Sequence, residues 1–225
     1  MLLPIREETS RCSIFEVLNK EVLHFLKSSI SKKIYTRYLH SEELRDTIWN
    51  NDPTKEKFET LWKQLKPLTD PIRKNIFNEY SQKQFLQHYY EDTGYQLPSI
   101  PTSVSSALGE LCKHLFTRSS GLVGIRDSCG ETLHESFGKF REVNSNVCCF
   151  CGSSELAQVR AGAEDNDQWR AANDHLLSKD QYPLFAVHPD NLIPLCETCN
   201  SKAKLAKDLL NRKQNQCPDV RRRAF

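Results

Sequence analysis

Residues 171–204 read AANDHLLSKDQYPLFAVHPDNLIPLCETCNSKAK, and this stretch decides the fold. It closes on Cys196-Glu197-Thr198-Cys199, a C-x-x-C pair. A second pair lies upstream, in Cys148-Cys149-Phe150-Cys151-Gly152. Two-residue spacing lets both thiolates of one turn face one ion, and Gly152 permits the tight turn that follows. Four thiolates at tetrahedral corners form a closed structural zinc site with no open position for substrate. Cys148, Cys151, Cys196 and Cys199 are therefore the expected ligands of one Zn²⁺. The 44 residues between the pairs make the unit longer than a simple ribbon, so zinc would staple the two ends of an insertion. The competing reading is one redox dithiol plus a chance pair, but redox pairs follow a strand in a βαβ setting, which is absent here. Cys149 is the spare, because C-x-C spacing to Cys151 is poorer. Cys12, Cys112, Cys129 and Cys217 are scattered and read as ordinary, mostly buried residues.

Between the pairs lie the residues that carry chemistry. Asp174-His175 leads, Asn191 precedes the apolar run Leu192-Ile193-Pro194-Leu195, and Asn200 follows the last cysteine. His175 and Asn191 are 16 positions apart, and Asn191 and Asn200 nine. On these residues the chain resembles the HNH nucleases, also called ββα-metal nucleases, over roughly residues 145–212. The nearest pattern is a bacterial subgroup of the approximate form DH-x-LPK-x-x-YP-x-F…NL-x-P-x-C-x-x-CN-x-x-K. The matching positions are Asp174, His175, Leu177, Lys179, Tyr182, Pro183, Phe185, Asn191, Leu192, Pro194, Cys196, Cys199 and Asn200. Ser178 stands where the subgroup has proline, Asn200 makes this an HNN variant, and the usual following lysine is displaced to Lys202 or Lys204. The acidic run 161–173 precedes Asp174, where the first strand of the family unit would begin.

Phosphodiester hydrolysis needs a deprotonated water, a charge clamp on the phosphate and relief for the leaving oxygen. An imidazole titrates near working pH, so His175 suits the general base. A hard divalent cation with oxygen ligands suits the clamp. Asp174 offers a carboxylate and Asn200 an amide oxygen, so one Mg²⁺ (or Mn²⁺) held by few protein ligands is expected. Adjacent residues of a regular strand point to opposite faces, so the strand must end or bulge at Asp174-His175. The resemblance implies that Asn191 bonds backbone across the loop and fixes the His175 strand rather than binding metal. It also implies a helix from Cys199 to about Lys213, with Leu205, Leu209 and Leu210 buried. His188 is the rival base, although His188-Pro189-Asp190-Asn191 reads as a turn. Lys179, Lys202 and Lys204 are candidate phosphate contacts, with solvated surface as the competing reading. Arg221-Arg222-Arg223 would either bind phosphates or form a solvated end.

Outward from this unit the chain reads as helix. Ile14, Phe15, Val17, Leu18, Val22, Leu23, Phe25 and Leu26 recur at helical spacing. Ser41 before Glu42 and Glu43 looks like a helix start. Asp52-Pro53 and Asp70-Pro71 each read as a capping Asp with Pro at the first helical position. Phe58, Leu61, Trp62 and Leu65, and then Ile72, Ile76, Phe77 and Tyr80, would be core stripes. Residues 91–104 carry Gly94, Pro98 and Pro101 and read as a loop or linker. Further helices are expected near 104–117 and 130–141. Residues 1–142 thus form a helical region with no chemical signature of its own, a scaffold or partner-docking part, ahead of a nuclease domain over 143–225.

The chain has 225 residues, enough for one large domain or two small ones and for a core without disulfide staples. With 38% hydrophobic and 27% charged residues it is not a highly charged disordered chain. No apolar run approaches the length of a membrane span, and acid at Glu7 and Glu8 comes too early for a signal peptide. Nine cysteines without an export signal should be reduced thiols in the cytoplasm. The net charge of +2 hides an asymmetry. Residues 201–225 hold eight Lys or Arg against two Asp, so the tail is +6 and the first 200 residues −4.

The expected architecture is α+β, a mainly helical N-terminal region followed by a zinc-stapled ββα-metal nuclease unit. The expected activity is metal-dependent endonuclease action on DNA with low sequence specificity. The resemblance implies 3′-hydroxyl and 5′-phosphate ends. It also implies a place in bacterial anti-phage defence, where the helical part would dock an ATPase or another defence-system subunit. The alternative is a non-catalytic zinc module that binds nucleic acid or a protein.

Overall fold

The computed structural model describes residues 12–92, 94–158, 162 and 169–204. Eight α-helices come first: α1 (Ser13–Ser28), α2 (Arg45–Trp49), α3 (Asp52–Leu65), α4 (Asp70–Gln82), α5 (Leu86–Glu91), α6 (Thr102–His114), α7 (Val123–Cys129) and α8 (Leu133–Asn144). Four short strands follow: β1 (Ala157–Gln158), β2 (Trp169–Arg170), β3 (Asn173–His175) and β4 (Leu192–Pro194). They form two antiparallel pairs, β1 with β2 and β3 with β4. The class is α+β, mostly helical. None of the described helices is long and apolar enough to cross a membrane.

α1 forms because its apolar positions fall on one face, and Ile14, Phe15, Leu18, Val22, Phe25 and Leu26 are all buried. Its end is closed locally, with Ser29 N–H on Phe25 O, Ser29 Oγ on Leu26 O and Ile30 N–H on Lys27 O. Arg73 ties down the chain just beyond it: its Nη1 donates to Ser29 O at 2.8 Å and Lys32 O at 2.7 Å. The same guanidinium serves the end of α3, with Nη2 on Lys66 O at 2.8 Å and Nε on Leu68 O at 3.0 Å.

The caps of α3 and α4 lie one residue earlier than the Asp-Pro pairs suggest. Asn51 caps α3, its side chain accepting from Thr54 N–H at 3.1 Å, and Thr69 precedes α4. Asn caps as well as Asp does, and Asp52 and Asp70 then place their charge in the first turn, against the helix dipole. Ser41 accepts from Leu44 N–H and caps a turn that leads into α2, not the helix itself. Ile72 turns outward, at 44% exposure, and is no part of the core stripe. α8 opens with a capping box between Thr132 and Glu135. Residues 94–101 are irregular, as the Gly and Pro content predicts, and α6 starts at Thr102.

Two hydrophobic clusters hold the molecule, and both draw on each side of residue 142. The first unites α1, α3, α4 and α6 with Leu184, Ala186, Val187 and Leu192. The second unites Leu86, Tyr89 and Tyr90 of α5 and Phe137 and Phe140 of α8 with Cys148, Cys149, Cys196, Cys199, Leu177, Phe185 and Ile193. Tyr80 Oη donates to Leu184 O at 3.0 Å across the seam. At Gly109 the backbone of α6 comes so close to the 3₁₀ turn Pro183–Phe185 that a Cβ would lie 2.9 Å from Pro183 Cβ. A side chain there would push the turn away from the helix.

A four-cysteine cluster beside a short antiparallel pair

The Sγ atoms of Cys148, Cys151, Cys196 and Cys199 all lie within 4.8 Å of one another. Cys151 and Cys196 are 3.9 Å apart. A tetrahedral zinc with Zn–S bonds of about 2.3 Å sets its sulfurs about 3.8 Å apart, so this donor set fits Zn²⁺. The first pair sits in a tight turn: Gly152 N–H donates to Cys148 O at 2.8 Å, with Gly152 at φ +67°, a conformation that favours glycine. In the second, Cys199 N–H donates to Cys196 Sγ at 3.5 Å. Cys149 is buried but not in the cluster.

Cys151 alone is exposed, and hydrogen bonds from the Ser153 hydroxyl and from the backbone of Ser153 and Ser154 pull its thiol down to about 5. Burial, followed by its bond with Cys196 and the nearby Cys148 charge, pushes Cys199 up. Burial also raises Cys148. Left alone, the cluster favours the thiolate at Cys151 and the thiol at Cys148 and Cys199. A divalent cation favours ionisation of its thiol ligands.

The polypeptide between the pairs runs strand, loop, strand, helix. β3 pairs antiparallel with β4 in the register Asn173–Pro194, Asp174–Ile193 and His175–Leu192. β3 ends at His175, as the opposed directions of two adjacent side chains require. Two residues after β4 the chain reaches Cys196. A π-helical turn then spans Thr198–Lys204, where the sequence predicts an α-helix to Lys213. Cys196 O accepts from Asn200 N–H at 2.9 Å, so the wound turn begins inside the cysteine pair itself. Leu205, Leu209, Leu210 and the arginines of the tail lie outside the described residues, as do the side chains of Lys202 and Lys204.

Asn191 bonds to backbone across the loop. It is fully buried. Its Oδ1 accepts from Leu177 N–H at 2.6 Å, and its Nδ2 donates to Leu177 O at 3.1 Å and Phe185 O at 2.9 Å. Its backbone O accepts from Leu176 N–H at 2.8 Å. One side chain thus closes the loop that leaves His175. His188 is a turn residue: its Nδ1 accepts from Asp190 N–H at 3.2 Å and caps the 3₁₀ turn Pro189–Asn191.

His175 is 4% exposed, with Nε2 at 2.9 Å from Ala186 O. A carbonyl only accepts, so Nε2 is the nitrogen that carries the proton in the neutral ring. The imidazole packs against Phe116, with centroids 4.3 Å apart and planes at 63°. Lys179 places its ammonium over that same phenyl ring, 5.2 Å from the centroid. Asp174 and Asn200 are half-buried. Among the described residues the four cysteines form the one cluster of three or more His, Cys, Asp or Glu able to share an ion, and Asp174 is outside it.

Phe116 is the residue the sequence does not announce. It comes from the helical region, just beyond α6, at a position that reads as one more apolar residue in a helix. Nothing local marks it as a neighbour of His175.

Comparison of the chain with family models, curated proteins and solved structures gives no match.

Proposed function

We propose that the protein is a metal-dependent endonuclease of the HNH type, acting on DNA, with Zn²⁺ as a structural ion. The observation that carries this reading is the fixed tautomer of His175. Its Nε2–H is spent on Ala186 O at the end of β3, one residue from the Asp174 carboxylate and across the ladder from Leu192. Nδ1 is then the basic atom, able to take a proton from a water attacking a phosphodiester. Lys179 supplies a positive charge for a non-bridging phosphate oxygen, and Asn191 holds the loop that carries both Lys179 and Ala186. Asp174 and Asn200 offer the oxygen donors for Mg²⁺, which when bound neutralises charge developing on the phosphate. The four cysteines set the position of Asn200, which directly follows Cys199. A role in anti-phage defence, with an ATPase or similar subunit as partner of the helical part, remains part of the family resemblance.

One observation favours a second reading, a non-catalytic zinc module that binds nucleic acid or a protein. An imidazole at 4% exposure, bonded to a backbone carbonyl, is also what a purely structural histidine presents. Incubation with plasmid, single-stranded DNA and RNA, with Mg²⁺ or Mn²⁺ and with EDTA, separates the two. The nuclease reading expects EDTA-sensitive cleavage that His175→Ala abolishes while fold and zinc content persist. Intact substrate in every metal supports the binding module.

A further inference from the structure

We infer that Phe116 is a positioning residue for the nuclease centre, so that the helical region supplies one wall of the site as well as a support for it. This rests on the reading of His175 as the base. The segment that carries Phe116, Leu115–Ser119, is a π-helical turn continuous with α6, closed by a bond from Ser120 N–H to Leu115 O at 3.0 Å. A π turn inserts one extra residue into the helix and re-aims the side chains on it, and such turns recur at functional sites.

This turn is held in place by buried polar contacts. Thr54, on α3, lies with its hydroxyl 3.1 Å from His114 Nε2 and 2.9 Å from Ser119 Oγ, the two residues that flank 115–118. Thr54 and Ser119 are both buried. Ser120 Oγ donates to Phe116 O at 2.8 Å. The inner face of the phenyl ring stacks on Phe15 of α1, with centroids 5.4 Å apart and planes at 24°. The ring is thus fixed from α1 and α3 before it meets the other half of the molecule.

What it meets are two groups of the proposed centre. His175 packs against it at 4.3 Å, which restricts rotation of the imidazole about its Nε2 bond to Ala186 O. Lys179 rests its ammonium over the ring at 5.2 Å, and among the described residues no carboxylate pairs with that ammonium. A cation held by a ring face keeps its full charge for an incoming phosphate, where a carboxylate partner would cancel it. Phe116 therefore orients the base and seats the cation without touching substrate.

The test uses the full chain, with single-turnover cleavage of a defined DNA at saturating metal. Phe116→Leu keeps an apolar side chain of similar bulk but has no ring. It should lower the rate at saturating substrate about 10- to 100-fold, the scale of a base moved by a fraction of an ångström. Zinc content and melting temperature should stay near those of the wild type. Phe116→Tyr should recover most of the loss, since the ring returns. Should the Leu variant unfold, Phe116→Met takes its place. Lys179→Met should instead weaken substrate binding. A second readout needs no activity: at pH near 8.5, the His175 ring-proton resonances should lose their ring-current shift in Phe116→Leu and regain it in Phe116→Tyr. A cleaving wild type whose Leu and Met variants keep their rate overturns the proposal alone. A wild type that cleaves nothing overturns the nuclease reading, and with it any catalytic part for Phe116.

Discussion

Replacing Asn191 by alanine should be among the most damaging single changes in the molecule. The side chain is fully buried and makes three hydrogen bonds to backbone. Its removal strands Leu177 N–H and Leu177 O, for which no other bond is described. Phe185 O keeps the bond it accepts from His188 N–H at 3.1 Å and suffers less. A stranded buried backbone group costs about 1–3 kcal/mol, so two in full and one in part come to about 3–5 kcal/mol. That is a large share of the roughly 5–15 kcal/mol by which a domain is stable. With a urea slope of about 2–3 kcal/mol per molar, the midpoint should fall by about 1–2.5 M. Asn191→Asp sharpens the test. It is nearly isosteric and retains the acceptor for Leu177 N–H, yet turns a carboxylate toward two carbonyl oxygens. The aspartate variant should therefore be no more stable than the alanine variant. Urea melts of the three proteins decide it. An alanine variant within about 1 kcal/mol of wild type, or an aspartate variant as stable as wild type, would refute the assignment of Asn191 as the closure of the loop.

The purified protein should carry one zinc per chain, and Cys196→Ala should lose both the metal and the folded second cluster, read by elemental analysis and by thermal melting. Gly109→Ala tests the close approach of α6 to Pro183. Helix propensity alone predicts a gain of about 1 kcal/mol, but a Cβ 2.9 Å from Pro183 Cβ is overpacked, at a cost of about 1–3 kcal/mol, so the net effect should be a loss. Acid should weaken the helical region in two stages. Burial, with the Lys57 and Arg118 charges, holds His114 below its ordinary 6.5. Burial by itself would raise Glu131, but its bonds from Lys139 and Ser13 outweigh that and hold it below 4.5. Both folded groups bind protons less readily than unfolded ones, so stability present above each ordinary value is lost as pH falls below it. The urea midpoint should drop first below about pH 6.5 and again below about pH 4.5, and His114→Gln should remove the first stage; a midpoint flat from pH 7 to 4 would contradict both assignments.

The sequence reveals the parts of the structure that depend on neighbours along the chain. The apolar faces of α1, α3 and α6 follow from spacing, and the four-cysteine cluster follows from two C-x-x-C turns. That Asn191 bonds backbone across the loop is what the family resemblance implies, not something its neighbours along the chain show. What escapes is set by distant contacts. The caps shift to Asn51 and Thr69 because several good capping residues compete within one turn. α5 and α7, short and weakly periodic, form because Leu86, Tyr89, Tyr90 and Ile125 find buried sites elsewhere in the molecule. The wider winding of Thr198–Lys204 and of Leu115–Ser119 has no local signature. Of the proposed centre, Asp174, His175, Asn191 and Asn200 are legible as a pattern of residues. Phe116 and the carbonyl of Ala186 are not, because each reaches His175 only through the tertiary fold.

The central claim is that His175 is the base of a nuclease. The most direct measurement is the single-turnover rate of DNA cleavage by His175→Ala, with circular dichroism and zinc content matched to wild type, and with and without added imidazole. Loss of a general base predicts a rate about 10²- to 10⁴-fold lower and partial recovery as imidazole enters the space left by the side chain. A folded, zinc-loaded His175→Ala protein that cleaves at the wild-type rate would contradict it.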